Sequence, residues 1–93
     1  MLMRKRAEVY YSGRVQGVGF RYTVRQIAQG YEVAGSVKNL DDGRVELIAE
    51  GEEEEVRQFV QAIRQSELGD YIRNATESWK PVSKQYKGFT IAH

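Results

Sequence analysis

An α+β sandwich, with two helices laid on one face of an antiparallel sheet, is the fold class that this 93-residue sequence predicts. Three observations predict it. Apolar residues alternate with polar ones over several short segments, and in two other segments the period lengthens to that of a helix. The segments follow one another as strand, helix, strand, strand, helix, strand. Each helix has a single apolar stripe and the sheet needs only one face covered, so placing both helices on that face is the economical packing.

The first strand is expected from Ala7 to Val15, with Ala7, Val9, Tyr11, Gly13 and Val15 on one face. At Phe20 the period changes: Phe20, Val24, Ile27, Ala28 and Tyr31 form a helical stripe, Arg21 and Arg25 lie off it, and Gly30 sits near the end. A second strand, Val33 to Leu40, leads through the turn Asp41-Asp42-Gly43 into a third, Arg44 to Glu50, which Gly51 should end. In that third strand Val45, Leu47 and Ala49 point one way and Arg44, Glu46 and Glu50 the other. The run Glu52-Glu53-Glu54-Glu55 precedes Val56, Phe59, Val60 and Ile63 at helical spacing. It therefore reads as the carboxylate-rich first turn of a second helix, matched to the helix dipole, rather than as a metal site.

Residues 66–74 read as a polar connection around Leu68, Gly69 and Ile72. A fourth strand follows from Ala75 to Val82; it contains Trp79 and lies at an edge or ends at Pro81, which cannot donate to a ladder. A short terminal strand, Tyr86 to Ile91, closes the chain. The arrangement is a ferredoxin-like βαββαβ sandwich with a short extra C-terminal strand, expected to form one domain over residues 1–93. Its third strand sits between the first two, which run parallel and are joined by a right-handed crossover.

Composition narrows the function. Fourteen Lys and Arg against thirteen Asp and Glu leave a formal charge of +1, which gives no general grip on nucleic acid or an anionic membrane. The absence of cysteine removes disulfides, thiolate metal sites and a cysteine nucleophile, and it fits a reducing compartment. No apolar run approaches the roughly 18 residues of a membrane span. The basic start, Met1-Leu2-Met3-Arg4-Lys5-Arg6, lacks the apolar stretch of a secretion signal and reads as a solvated tail, so cytoplasm is the expected location.

Between the first strand and first helix lies Gly13-Arg14-Val15-Gln16-Gly17-Val18-Gly19-Phe20-Arg21. Its glycines let backbone approach a ligand, successive amides in such a turn can converge on an anion, and Arg21 in the first helical turn adds a planar fork of donors. The dinucleotide fingerprint fails at Tyr22, and no Gly-Lys-Ser/Thr follows for an ATP or GTP loop. Taken alone, the loop fits either an oxyanion cradle or a plain tight turn. The topology also brings Asn39 to the same rim, about 10 Å away across one strand. Such a rim offers amides, one fixed positive charge and one carboxamide, but no nucleophile and no general acid, His93 being read as a frayed end. Chemistry of that kind suits a phosphate whose leaving group departs unassisted, such as a carboxylate with a pKa of about 4.

The loop, with Gly35-Ser36-Val37-Lys38-Asn39 and Asp42-Gly43-Arg44-Val45-Glu46, resembles the signature of the acylphosphatase family. The resemblance extends through Glu50-Gly51 and the helix after it, and more faintly to Tyr86, Gly88, Phe89 and Ile91. It departs from the family pattern at Glu32, Ser36 and Leu40 and lacks a Gly-Pro step after the second helix. The resemblance implies hydrolysis of acyl phosphates to a carboxylate and inorganic phosphate, with no metal or other cofactor. Carried over by position, it implies that the amides of Val15, Gln16, Gly17, Val18, Gly19 and Phe20 and the Arg21 guanidinium hold the phosphate, while Asn39 holds the attacking water. The expected partners are then a small acyl phosphate and inorganic phosphate, with no nucleic acid or membrane, and the expected state is a monomer whose last strands are guarded by Pro81 and Lys80, Lys84 and Lys87.

Two other functions share parts of this pattern. A non-catalytic, regulatory phosphate-binding module would keep the loop without the turnover. An RNA-recognition domain has the same topology, yet it needs aromatics on its central strands, and the strand from Arg44 to Glu50 has none; Tyr10, Tyr11 and Trp79 read instead as core or sheet-face residues.

Overall fold

Alternating burial along the first strand is what holds the molecule's two layers together. A computed structural model describes residues 3–83 and 85–93. Strand β1 (Arg4–Gly13) buries Ala7, Val9 and Tyr11 beneath helices α1 (Phe20–Ala28) and α2 (Glu53–Gln65). Strands β2 (Ala34–Asn39), β3 (Val45–Glu52), β4 (Ile72–Lys80) and β5 (Phe89–Ala92) complete a sheet of order β4-β1-β3-β2-β5. The ferredoxin-like βαββαβ arrangement is therefore the one expected. The pairs β1·β3, β1·β4 and β2·β3 are antiparallel, but β5 joins β2 in parallel, so the sheet is mixed.

Helix α2 buries Val56, Phe59, Val60 and Ile63, the stripe read from the sequence, whereas α1 buries only Phe20, Val24 and Ala28 of its expected stripe, Ile27 being half-buried and Tyr31 lying beyond the helix end. The glutamate run is indeed the start of α2: Arg57 donates to Glu53 at 2.8 Å, Gln58 to Glu54 at 3.2 Å, and the Glu32 amide to Glu55 at 2.8 Å. Tyr11 is buried in the core against Phe20, Trp79 is half-buried beneath the Arg57 guanidinium, and Tyr10 lies on the opposite sheet face.

Several boundaries differ from expectation, each for a reason visible in the packing. Arg4 to Arg6 are strand, not tail: they pair with Glu52, Gly51 and Glu50 of β3, and Arg6 forms an ion pair with Glu50. Met1 and Leu2 of the predicted tail lie outside the described residues, as does the expected edge guard Lys84. Val15 is buried but falls beyond β1. Strand β3 runs through Gly51 instead of stopping there; a Cβ at that position would lie 2.7 Å from the Glu32 carbonyl oxygen, so the glycine serves close backbone approach. The connection after α2 contains a short 3₁₀ turn, Glu67–Tyr71, started by the Ser66 hydroxyl accepting from the Leu68 amide and anchored by buried Leu68. Strand β4 then begins at Ile72, earlier than predicted, and stops before Pro81, while β5 begins later than predicted.

The chain leaves β4 at one edge of the sheet and enters β5 at the other, and residues 81–83 and 85–88 lie along the connection between them, with Ser83 bonded to Glu50 on the sheet. Here lies the largest departure from expectation. Glu50, expected to face solvent, is 2% exposed. Its Oε2 accepts from the Ser83 amide and hydroxyl, both at 2.8 Å, and from Arg6 at 3.3 Å; Arg6 also donates to Glu8 at 2.8 Å and lies against the Tyr86 ring. Burial alone would push the Glu50 carboxyl up, but the Ser83 donors and the guanidinium outweigh it and hold the group below the ordinary glutamate value. Since the folded-state value is the lower one, the contribution to stability is present above the ordinary glutamate range and is lost as pH falls through the folded value. Glu50→Gln should therefore lower stability at pH 7 by about 1–3 kcal/mol. Thermal unfolding should show a smaller loss between pH 7 and pH 3 in this variant than in the native protein.

Candidate active site

Strand β3 pairs with β1 and β2 at once, and Val45 lies opposite Tyr11 on one side and Asn39 on the other. The end of β1 and the end of β2 are therefore fixed at one rim, two strand spacings or about 10 Å apart. The loop that leaves β1 is bound to the hairpin that follows β2. The Gln16 Nε2 donates to the Leu40 carbonyl at 2.8 Å and to the Arg44 carbonyl at 2.9 Å, and the hairpin closes on itself through Leu40 N–H to the Arg44 carbonyl at 2.8 Å.

Within this loop Gly17 and Gly19 have φ angles of 79° and 75°, the left-handed region that L side chains avoid. A Cβ on either would meet no protein atom within 4 Å, so packing does not demand glycine there. Conformation does, and the bare backbone stays open to whatever enters. Gly19 is also the residue before α1, which therefore starts without a side-chain cap and without an acidic residue in its first turn. Helix α2 has Glu53, Glu54 and Glu55 in that place. The positive end of α1 is left uncompensated by its own sequence.

That end opens into a cavity of about 590 Å³. Val15, Gly17, Gly19, Phe20, Arg21 and Asn39, all predicted from the sequence, line it. Gln16 and Val18, expected to contribute backbone amides, are not among the lining residues, and their side chains point elsewhere. The Gln16 side chain is turned to the hairpin, and half-buried Val18 packs on the core. Arg21 is half-buried and, among the described residues, makes no ion pair. The Oδ1 of Asn39 is buried with no hydrogen-bond donor among the described residues. A buried acceptor left in this way costs about 1–3 kcal/mol, which is recovered when a donor reaches it.

Sequence reasoning missed the rest of the wall. Tyr22 and Arg25 on α1 line the cavity, as do Phe89, Thr90 and Ile91 of β5 and the exposed His93, which was expected only as a frayed end. The spacing of Arg21, Tyr22 and Arg25 along the helix was a usable signal; nothing local in the sequence places β5 beside β2. Among the described residues no three His, Asp or Glu side chains come together in a way that could hold a metal ion.

The chain is similar to known proteins over most of its length. A family model described as Acylphosphatase matches residues 7–91. An acylphosphatase of Bacillus velezensis is 47% identical over 81 residues, which are 87% of this chain and 90% of the relative. The fold superposes on the crystal structure of acylphosphatase from Bacillus subtilis with a TM-score of 0.87 and 36% identity, covering 96% of this chain and 99% of the other. It also superposes on full-length HypF in its phosphate- and nucleotide-bound form, with a TM-score of 0.88 and 32% identity, covering all of this chain but 12% of that one.

The clamp from loop to hairpin can be tested without any ligand. Gln16→Leu should cost about 1–2 kcal/mol for the two lost bonds. In hydrogen exchange, amides of residues 14–19 should lose protection while those of β1 and β3 keep theirs.

Proposed function

The chain belongs to the acylphosphatase family, and from that premise we propose that it hydrolyses the carboxyl–phosphate bond of acyl phosphates through the residues gathered at this rim. The observation that carries the proposal is the meeting at one cavity of Arg21, the bare glycine loop and Asn39, whose buried Oδ1 has no donor among the described residues. An acceptor there can take a proton-bearing donor, and a water held by it stands across from a phosphate bound at the loop.

In this reading the amides from Val15 to Phe20 and the first-turn amides of α1 receive the phosphoryl oxygens, and the Arg21 fork pairs with them bidentately. The glycines matter because a side chain at 17 or 19 would occupy the approach. Asn39 accepts a hydrogen bond from the attacking water and aims its oxygen at phosphorus. As the new P–O bond forms, the bond from phosphorus to the acyl oxygen breaks and its electron pair leaves with the carboxylate. The proton of the water passes to a phosphoryl oxygen of the substrate. A carboxylate needs no general acid to depart at neutral pH, so fixed donors and positioning suffice. His93, although it lines the cavity, has no step assigned to it.

A second reading, a phosphate-binding module without turnover, draws support from the likeness to a segment amounting to 12% of HypF. The same experiment separates the two. Phosphate release from benzoyl phosphate, measured with a metal chelator present, should be well above the spontaneous rate. Arg21→Ala should weaken inorganic phosphate binding and lower kcat/KM by about 10² to 10³ or more. Asn39→Ala should retain phosphate binding and lower kcat by a similar factor. Phosphate binding with no release above the spontaneous rate would establish the second reading, and full turnover by Asn39→Ala would overturn the role given to that residue.

A further inference from the structure

The cavity extends beyond the groups used above. Arg25 lies one turn after Arg21 on α1, and both line it. Four residues of helix span about 6 Å along the axis, and helical side chains lean toward the N-terminus, so Arg25 reaches back over the turn that carries Arg21. Among the described residues neither arginine forms an ion pair, a state they share with Arg4, Arg14, Arg64 and Arg73 but which here leaves two guanidinium groups at one cavity. Among the described residues no Asp or Glu lines the cavity. Like charges at this spacing oppose each other on a helix. A cation in the last turn suits the helix dipole, but that does not require it to share a cavity with a second guanidinium.

Beside Arg25 the surface is apolar. Tyr22, three residues earlier and 58% exposed, lines the same cavity as Phe89 and Ile91 of β5. A ligand whose phosphate sits at the glycine loop thus meets an aromatic and aliphatic channel, then a second guanidinium about one helical turn away. Resting on the hydrolase reading above, we propose that Arg25 is a specificity-determining residue and that the preferred substrates are acyl phosphates of dicarboxylic acids. The phosphoryl group occupies the loop and Arg21, the carbon chain lies between Tyr22 and Phe89, and the distal carboxylate pairs with Arg25, whose fork matches it bidentately.

The test compares succinyl phosphate with butyryl phosphate, which has the same number of acyl carbons and no distal charge. For the native protein kcat/KM should favour succinyl phosphate by about tenfold, the worth of one charge-assisted contact. The preference should shrink in high salt. Arg25→Gln should bring the ratio close to one, and Arg25→Lys should restore part of it, neither of which a merely structural role would produce. A native ratio near one, or a preference that survives Arg25→Gln, overturns the assignment while leaving the hydrolase reading intact. No turnover of either substrate by the native protein overturns the hydrolase reading and this inference with it.

Discussion

Because β3 is antiparallel to both of its neighbours, β1 and β2 must run in the same direction and end at the same rim. Everything at the cavity follows from that constraint. The loop leaving β1 and the last residue of β2 are brought side by side by sheet geometry alone, and their separation is set by the strand spacing, which hardly varies. The Gln16 amide then removes the remaining freedom by fastening the loop to the hairpin base at two carbonyls. A constellation fixed by a sheet ladder and two side-chain bonds needs little reorganisation when a charged ligand arrives, and that is the condition under which fixed dipoles act most strongly.

The same rim is where local rules of stability are set aside. Neither helix has a side-chain cap, but α1 also lacks first-turn carboxylates, where α2 has three glutamates. Gly17 and Gly19 hold left-handed angles with empty space where their side chains would be, and Asn39 keeps a buried acceptor without a donor. Each choice is unfavourable to the fold, and all of them face one cavity. The buried Tyr11 hydroxyl also has no partner among the described residues, so such departures are not confined to this place, but the left-handed glycines and the uncompensated helix end are gathered here, as expected where binding has overridden stability.

How much of this could be read from the sequence depended on the range of the interaction involved. The helical stripes, the Asp41-Asp42-Gly43 turn and the glycine loop were legible because their signals lie within a few residues of one another. Asn39 was legible because strand order fixes a rim. Arg6 and Glu50 were misplaced, one as tail and the other as solvent-facing, because their partners are each other, 44 residues apart, and Ser83. A charge is counted as exposed until the residue that neutralises it is known. Gly51 misled for a related reason: a glycine that ends a strand and one that admits a neighbouring carbonyl look identical in sequence. The β5 wall was invisible because nothing local in the sequence shows that this strand pairs with the β2 edge.

The connection between β4 and β5 links the two edges of the sheet. Strand β5 has four residues and a single neighbour in the sheet, so its own ladder is short. It is led into place by the Gly35 amide donating to the Gly88 carbonyl at 2.9 Å and, further back, by Ser83 fixed to buried Glu50. The carboxylate that holds the connecting segment is therefore also part of what holds Phe89 and Ile91 at the cavity. Elements with few neighbours open at the lowest cost, so the β5 wall should be the most yielding side of the cavity, while the glycine loop, clamped to the hairpin, stays fixed. In the proposed reaction this contrast would divide the work as the chemistry requires: the reacting phosphorus demands one geometry, whereas the chain beyond it only has to be accommodated.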